Sequence, residues 1–384
     1  KMGADRWFEV HGAAHRMGIP SNSTLLYGHI ETREERIDHM IRLRQAQDEL
    51  LSLPGIGISA LEISHRSGWF EGVLAETQEN LRRLLAIGPD YQVLFLQGGA
   101  RLQFSMVPMN LLRASGKSAD YIVTGSWGKM AMEEAAREGN VRAAFDGKPT
   151  NFTRLPRAGQ IDADPRAAYL HFTSNETIQG VQFAAEPEAG HVPLVCDASS
   201  DFLCRPLPID RYGLIYACAQ KNAGPAGVTI VVIRNDLMER APAGLPTVLD
   251  YRLHAKEKSL LNTPPVFAVY LVMLVTRWLL NDIGGLEKMA QLNRRKAGML
   301  YEVIDQSGGF YRGHAEADSR SIMNVTFRLP GDETQAAFLR EARSRGLCEL
   351  KGHRSVGGIR ASIYNAMPIE GVEALRDFMR EFRG

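Results

Sequence analysis

Lys221 lies in the stretch Ala219-Gln-Lys-Asn-Ala-Gly-Pro-Ala-Gly227, after the apolar run Tyr212 to Ala217 and before the run Val228 to Ile233. Both runs read as short buried strands, and Gly224-Pro225-Ala226-Gly227 between them reads as a tight turn. The amine is thereby fixed in a crevice, where it can hold an aldehyde. Twenty-four positions earlier, Asp197 closes another apolar run, Val192 to Cys196. A carboxylate there is costly without a partner, and a protonated pyridine nitrogen would be one. A lysine for a Schiff base and an aspartate for the ring nitrogen are the two groups that pyridoxal phosphate chemistry asks of its protein. Each residue alone has a plainer reading: most lysines are surface charges, and an Asp followed by Ser199-Ser200 is more often a turn or a helix cap.

The elements that must position these groups repeat one pattern. Val93 to Leu96 reads as a strand, followed by Gly98-Gly99-Ala100-Arg101 and a helix beginning near Leu102. Amides at such a helix start point outward without partners and bind anions, so a phosphate suits the turn. Tyr121 to Thr124 is a strand ending at Gly125-Ser126-Trp127, which puts an indole where an aromatic cofactor could stack. Tyr169 to Phe172 is a further strand, followed by the polar loop Thr173-Ser-Asn-Glu-Thr177. Strand, then glycine or polar residues, then helix predicts an α/β fold with a mainly parallel sheet and ligand groups gathered at one edge. Taken singly, the Gly-Gly turn, the Trp and the polar loop each say little.

Composition bounds the rest. The 384 residues suggest about two domains. Forty-five basic against 44 acidic residues leave a formal charge of +1, which argues against nucleic acid or a membrane surface as partner and leaves small molecules. Cys196, Cys204, Cys218 and Cys348 show no CxxC spacing, no metal site is read, and buried free thiols fit a reducing cytoplasm. No leader-like segment is read at the start. The most apolar stretch, Val266 to Leu280, carries Arg277 and is read as a core helix too short to span a membrane. Near the C-terminus, Ser321 to Leu329 alternates as a strand, Thr334 to Arg345 is helical and stops at Gly346, and Pro368 opens a last helix through Phe382. This is an α+β cap whose basic, glycine-rich loop Lys351 to Ile359 could meet a substrate anion and close over it.

From about Ala46 onward the chain resembles the phosphoserine aminotransferases of the class V pyridoxal-phosphate family. The resemblance rests on Glu62-Ile-Ser-His-Arg-Ser67, Gln97-Gly-Gly-Ala-Arg101, Asn175-Glu-Thr177, the Lys221 segment, Leu261-Asn-Thr-Pro-Pro265 and Lys351-Gly-His-Arg-Ser-Val-Gly-Gly-Ile-Arg-Ala-Ser-Ile-Tyr-Asn-Ala-Met367. It implies a type I, aspartate-aminotransferase-like fold, with a large cofactor-binding domain over residues 32–281 and a small domain over 282–384. It also implies pyridoxal 5'-phosphate as cofactor, with Lys221 as Schiff-base lysine, Asp197 as pyridinium partner and Trp127 stacked on the ring. Ala100 and Arg101 would sit at the phosphate, and Thr177 and Gln220 at polar cofactor atoms. Asn262 and Thr263 would reach the phosphate of the neighbouring subunit in a homodimer with shared sites. His65, Arg66, His353 and Arg354 would meet the substrate's distal anion, and Arg360 its α-carboxylate, since a planar guanidinium suits such anions. The implied reaction is reversible transamination between glutamate and 3-phosphohydroxypyruvate, in serine synthesis. The keto acid of 4-phosphohydroxythreonine, in vitamin B6 synthesis, is a further implied substrate. Ala100 stands where the family often has a third glycine.

The first 48 or so residues depart from the family, lacking its Asn-Phe-Ser-x-Gly-Pro-Ala loop. Ala14 to Thr32 and Glu35 to Arg44 resemble instead an internal piece of radical-SAM aminofutalosine synthases, without the cluster cysteines. Thr32 with Glu35 reads as a capping box whose helix crosses the seam, and residues 1–31 are expected to be weakly ordered. Two alternatives follow from the missing loop: an aminotransferase with a changed substrate, or a cofactor-binding fold without activity.

Overall fold

The computed structural model describes residues 52–384. The resemblance of residues 1–48, the capping box at Thr32 and the expected weak order before it therefore lie outside the described residues.

From Gly68 the chain runs through α1 (Gly68–Leu85), β1 (Tyr91–Leu96), α2 (Gly99–Leu111), β2 (Ser118–Val123), α3 (Ser126–Ala135), β3 (Asn140–Asp146) and β4 (Leu170–Thr173). A short hairpin, β5 (Asn175–Glu176) with β6 (Val181–Gln182), precedes β7 (Leu194–Asp197), β8 (Tyr212–Cys218) and β9 (Thr229–Arg234). Three helices follow, α4 (Asn235–Met238), α5 (Tyr251–Lys256) and α6 (Val266–Trp278). Seven strands form one sheet in the order β1-β9-β8-β7-β4-β2-β3. β9 is antiparallel to both its neighbours and the remaining pairs are parallel, so the sheet is mainly parallel, as the sequence pattern predicts.

The period of two along each strand builds two cores. Val93, Phe95, Leu170, Phe172, Leu194, Cys196, Ile215 and Ala217 face one side, where α1 and α6 pack. Leu94, Leu96, Tyr121, Tyr169, Val195, Leu214 and Tyr216 face the other, covered by α2 and α3. Such near-continuous apolar strands are what a sheet buried on both faces requires. α1 begins where the Ser67 hydroxyl accepts from the Phe70 N–H at 3.2 Å, and it buries Phe70, Val73, Leu74, Leu81 and Leu84 at helical spacing. α6 continues as a π-helical turn, Leu279–Ile283. The combined Val266–Ile283 stretch is 18 residues, long and apolar enough to cross a membrane by length and composition, which corrects the expectation that it is too short. It nevertheless packs on α1 as the core helix that the sequence predicts, and Arg277 forms an ion pair with Glu76 of α1.

The remaining elements are α7 (Leu286–Asp305), β10 (Arg312–Gly313), β11 (Asn324–Arg328), α8 (Asp332–Ser344), β12 (Ile359–Ser362) and α9 (Ile369–Arg383). The three strands make an antiparallel sheet, β10-β11-β12, and α7, α8 and α9 join it in a third core that includes Leu300, Val325, Phe338 and Phe378. The strand and both helices expected here are present with ends shifted by one to three residues, while β10 is two residues long and carried no apolar pattern that could announce it.

Candidate active site

Every parallel strand of the large sheet that borders the site ends at the same edge. β1 ends before Gln97, β2 before Thr124, β4 before Ser174, β7 at Asp197 and β8 before Ala219, so the segments holding Gly98-Gly99, Trp127, Thr177, Asp197 and Lys221 all start from one rim. Alternation decides which face each side chain meets. Asp197 shares the parity of Val195, so its carboxylate lies on the face covered by α2 and α3, where Ala100 and Trp127 also pack.

Asp197 is 4% exposed and accepts from the Ser199 N–H at 3.0 Å. Among the described residues it forms no ion pair. Burial raises its pKa to about 6, against the pull of hydrogen bonds from Ser199 and of the Lys221 charge. Beneath it the floor is uncharged: His171 Nε2 bonds Tyr216 Oη at 2.8 Å, and burial pushes that imidazole down to about 3. A carboxylate whose charge is disfavoured by burial is the partner that a pyridinium needs, and Lys221 stands half-buried just beyond the end of the neighbouring strand. The Lys221 Nζ is 5.9 Å from the centroid of the Trp127 ring. These three groups therefore come together as the sequence predicts, and they fit a pyridoxal cofactor. Gln220 is half-buried next to Lys221.

One residue of this group was not anticipated. Glu176 is fully buried, and its carboxylate accepts from the Trp127 N–H at 3.0 Å and the Gly128 N–H at 2.8 Å, capping the start of α3. Its pKa is raised to about 7 by burial, opposed by those two amides. The adjacent Thr177 accepts from the Trp127 indole N–H at 3.0 Å, so two successive residues hold both the backbone and the ring of the tryptophan. Gly125 makes room for this: a Cβ there would fall 2.5 Å from Glu176 Cδ. A signal existed, since Glu176 is the one Asp, Glu, Lys or Arg between Ala167 and Ala185.

At the glycine turn α2 starts at Gly99, three residues earlier than the sequence pattern suggests, with Gly98 at φ 87° and no side chain capping the helix. A Cβ on Gly98 would strike Leu102, whereas one on Gly99 meets nothing within 4 Å, which leaves open space above the turn. Ala100 is half-buried, and Arg101 is exposed with its guanidinium 3.5 Å from Met130 Sδ. Asn262 and Thr263 lie beside the same turn of their own chain. The Asn262 amide donates to Gln97 Oε1 at 3.2 Å, and Gln97 donates to the Thr263 carbonyl at 2.5 Å.

Of the expected substrate cations, Arg360 is tied to the rim. It lies on β12, opposite Thr326, and its guanidinium donates to the Thr177 carbonyl at 3.4 Å. The hairpin β5–β6 makes this approach possible: Thr326 Oγ1 donates to the Gln179 carbonyl at 3.0 Å, and Gly180, at φ 71°, would bring a Cβ within 2.5 Å of that hydroxyl. His353 and Arg354 sit in a tight loop closed by the Gly352 N–H to Gly358 carbonyl bond at 2.8 Å, with His353 Nδ1 2.7 Å from Ser355 Oγ and Arg354 exposed. A Cβ on Gly352 would meet the Gly357 carbonyl at 2.0 Å, so the loop requires glycine there. His65 is half-buried and Arg66 exposed, in the loop before α1, and neither forms a described hydrogen bond to the Lys221 group.

Comparison with known proteins bears on the same residues. The family profile "Aminotransferase class-V" matches residues 42–375. Phosphoserine aminotransferase of Rhodopirellula baltica is 57% identical over 341 residues, covering 88% of this chain and 91% of that protein. The solved phosphoserine aminotransferase from Bacillus circulans subsp. alkalophilus superimposes with a TM-score of 0.87 at 48% identity, over 90% of this chain and 95% of that one. The pyridoxal-phosphate-bound phosphoserine aminotransferase from Trichomonas vaginalis does so with a TM-score of 0.84 at 37% identity, over 89% of this chain and 96% of that one. The profile match begins at residue 42, and these comparisons lend no support to the aminofutalosine-synthase resemblance of the segment before it.

Proposed function

The chain belongs to the class-V aminotransferases and, within them, to the phosphoserine aminotransferases, and from that premise we propose the following assignment of its residues. The enzyme transfers the amino group of glutamate to 3-phosphohydroxypyruvate, reversibly, giving 2-oxoglutarate and phosphoserine. Its fold is the type I, aspartate-aminotransferase-like fold, and its cofactor is pyridoxal 5'-phosphate. When bound, the cofactor supplies an aldehyde that captures amines and a ring that accepts the electron pair left at Cα.

Lys221 would hold the cofactor through its aldehyde, and its Nζ, when free, would move a proton between the substrate Cα and the neighbouring carbon. Asp197 keeps the ring nitrogen protonated. Trp127, fixed by Glu176 and Thr177, would stack on the cofactor ring and exclude water. The amides at Ala100 and Arg101 hold the cofactor phosphate, and Thr177 and Gln220 bond its polar atoms. Arg360 clamps the α-carboxylate with its fork, while His65, Arg66, His353 and Arg354 take the distal phosphate or carboxylate. Asn262 and Thr263 complete the phosphate site of the partner in a homodimer. Residues 282–384 act as the substrate-facing cap on the cofactor-binding part. Four free cysteines suit a cytoplasmic setting.

The observation that carries this reading is the buried Asp197 carboxylate, with no ion pair among the described residues, on the strand beside that of Lys221. A glutamate-coupled assay tests the substrate. Turnover with 3-phosphohydroxypyruvate is expected to exceed that with unphosphorylated hydroxypyruvate by about 100-fold, the worth of a charge-assisted phosphate contact. Equal use of the two would remove the phosphate-binding role.

A further inference from the structure

Lys296, on α7, is fully buried and forms no ion pair among the described residues. Its ammonium, with three protons to share, lies instead within hydrogen-bond reach of four backbone carbonyls, those of Tyr364 at 2.7 Å, Met367 at 3.0 Å, Ile363 at 3.2 Å and Asn365 at 3.4 Å. All four belong to the short turn between β12 and α9. Burial pulls the amine down to about 7, while the carbonyl oxygens favour its charged form. A buried charge with no counter-ion is an expensive way to close a turn, and the third core already has an apolar interior.

The turn it closes bonds to the segments that follow Lys221 and Asp197. The Asn365 N–H donates to Asn222 Oδ1 at 3.0 Å, next to Lys221 in the chain. The Asn365 amide donates to the Leu203 carbonyl at 2.9 Å, in the segment that follows Asp197. Asn293, one turn before Lys296 on α7, donates to Asn365 Oδ1 at 2.8 Å and to the Cys204 carbonyl at 3.3 Å. One asparagine thus ties the turn to the segments bearing both site residues, and α7 holds that asparagine through two side chains.

We propose that Lys296 is a positioning residue, which through the 363–367 turn and Asn365 sets the placement of Lys221 relative to Asp197. The proposal rests on the roles given to those two residues above. It also accounts for a lysine where apolar packing would close the core: a donor to several carbonyls at once fixes the backbone that carries Asn365.

The test compares the reconstituted wild-type enzyme with Lys296→Met, Asn222→Ala and the double variant. Each single change is expected to lower kcat about tenfold and to shift the pH midpoint of the visible band of the lysine-bound cofactor, with KM for glutamate changed less than threefold. The double variant is expected to be no worse than the weaker single, since both changes cut one link. A lower Tm in Lys296→Met with kcat and band midpoint unchanged would overturn the proposal, as would additive effects in the double variant. If Lys296→Met does not fold, Asn222→Ala decides alone, and a wild-type kcat and midpoint there overturn it. If the wild-type chain shows no such band, the functional reading has failed, and amide exchange in the cofactor-free chain judges the link itself. Exchange at the Asn365 N–H should then rise at least about tenfold in Lys296→Met relative to amides of β8, and unchanged protection overturns the proposal.

Discussion

Asp197 is a carboxylate that the fold leaves uncomfortable until something positive covers it. Its pKa in the folded chain, about 6, lies above the ordinary carboxylate value, so between roughly pH 4 and 6 the folded state holds a proton that the unfolded state has released. Stability of the cofactor-free protein therefore falls as the pH rises through that window, by roughly 1 to 3 kcal/mol from this group. Asp197→Asn is expected to raise the Tm of the cofactor-free chain at about pH 7.5, with the gain vanishing near pH 4, while cofactor affinity drops. A lower Tm at about pH 7.5 would count against a carboxylate held without a counter-charge. The same reasoning separates Arg360 from the cofactor groups. Its fork reaches the rim from β12 rather than from the large sheet, so Arg360→Lys should cost keto-acid use about 100-fold while cofactor affinity changes less than about threefold. Equal losses in both would refute the division.

At the level of elements, the site depends on strand ends and on what they exclude. Gly125 precedes α3 at a point where any Cβ would overlap the Glu176 carboxylate. Gly125→Ala is expected to push Glu176 off the α3 amides, release Trp127, lower stability by roughly 1 to 3 kcal/mol and weaken cofactor binding by about tenfold or more; titration of the apo chain with pyridoxal phosphate measures the binding, and wild-type affinity would contradict the account. Much of this was legible in sequence, because a sheet buried on both faces writes its strands as apolar runs and its ligand positions as the polar residues that stop them. Lys221, Asp197 and Trp127 are such stops. The Glu176 cap was not legible, since its partners are backbone amides 48 and 49 positions away that only the sheet order brings near. The β5–β6 hairpin was hidden for a similar reason: two-residue strands have no period, and its conformation depends on Gly180 in its own turn and on Thr326 from a distant segment. The apolar length of α6 was misjudged because the π-helical turn after Trp278 extends it beyond the run that composition marks.

For the whole molecule, the question is how the two cores of the large sheet and the third core act on one site. Asn262 and Thr263 lie against Gln97 of their own chain, yet the proposed dimer uses them across the interface. Mixing Lys221→Ala chains with Asn262→Ala chains separates the two arrangements. If the sites are shared, exchange restores roughly a quarter of wild-type activity, because half the dimers then carry one intact site of two. No recovery would assign Asn262 to its own chain. The central claim is that Lys221 holds the cofactor of an enzyme that passes an amino group from glutamate to a phosphorylated keto acid. It is tested most directly by adding glutamate alone to the reconstituted enzyme. The visible band of the lysine-bound cofactor should disappear with a matching amount of 2-oxoglutarate, then return when 3-phosphohydroxypyruvate is added, and Lys221→Ala should show no such band at any stage. A band that persists in Lys221→Ala, or 2-oxoglutarate that fails to appear in the wild type, would contradict it.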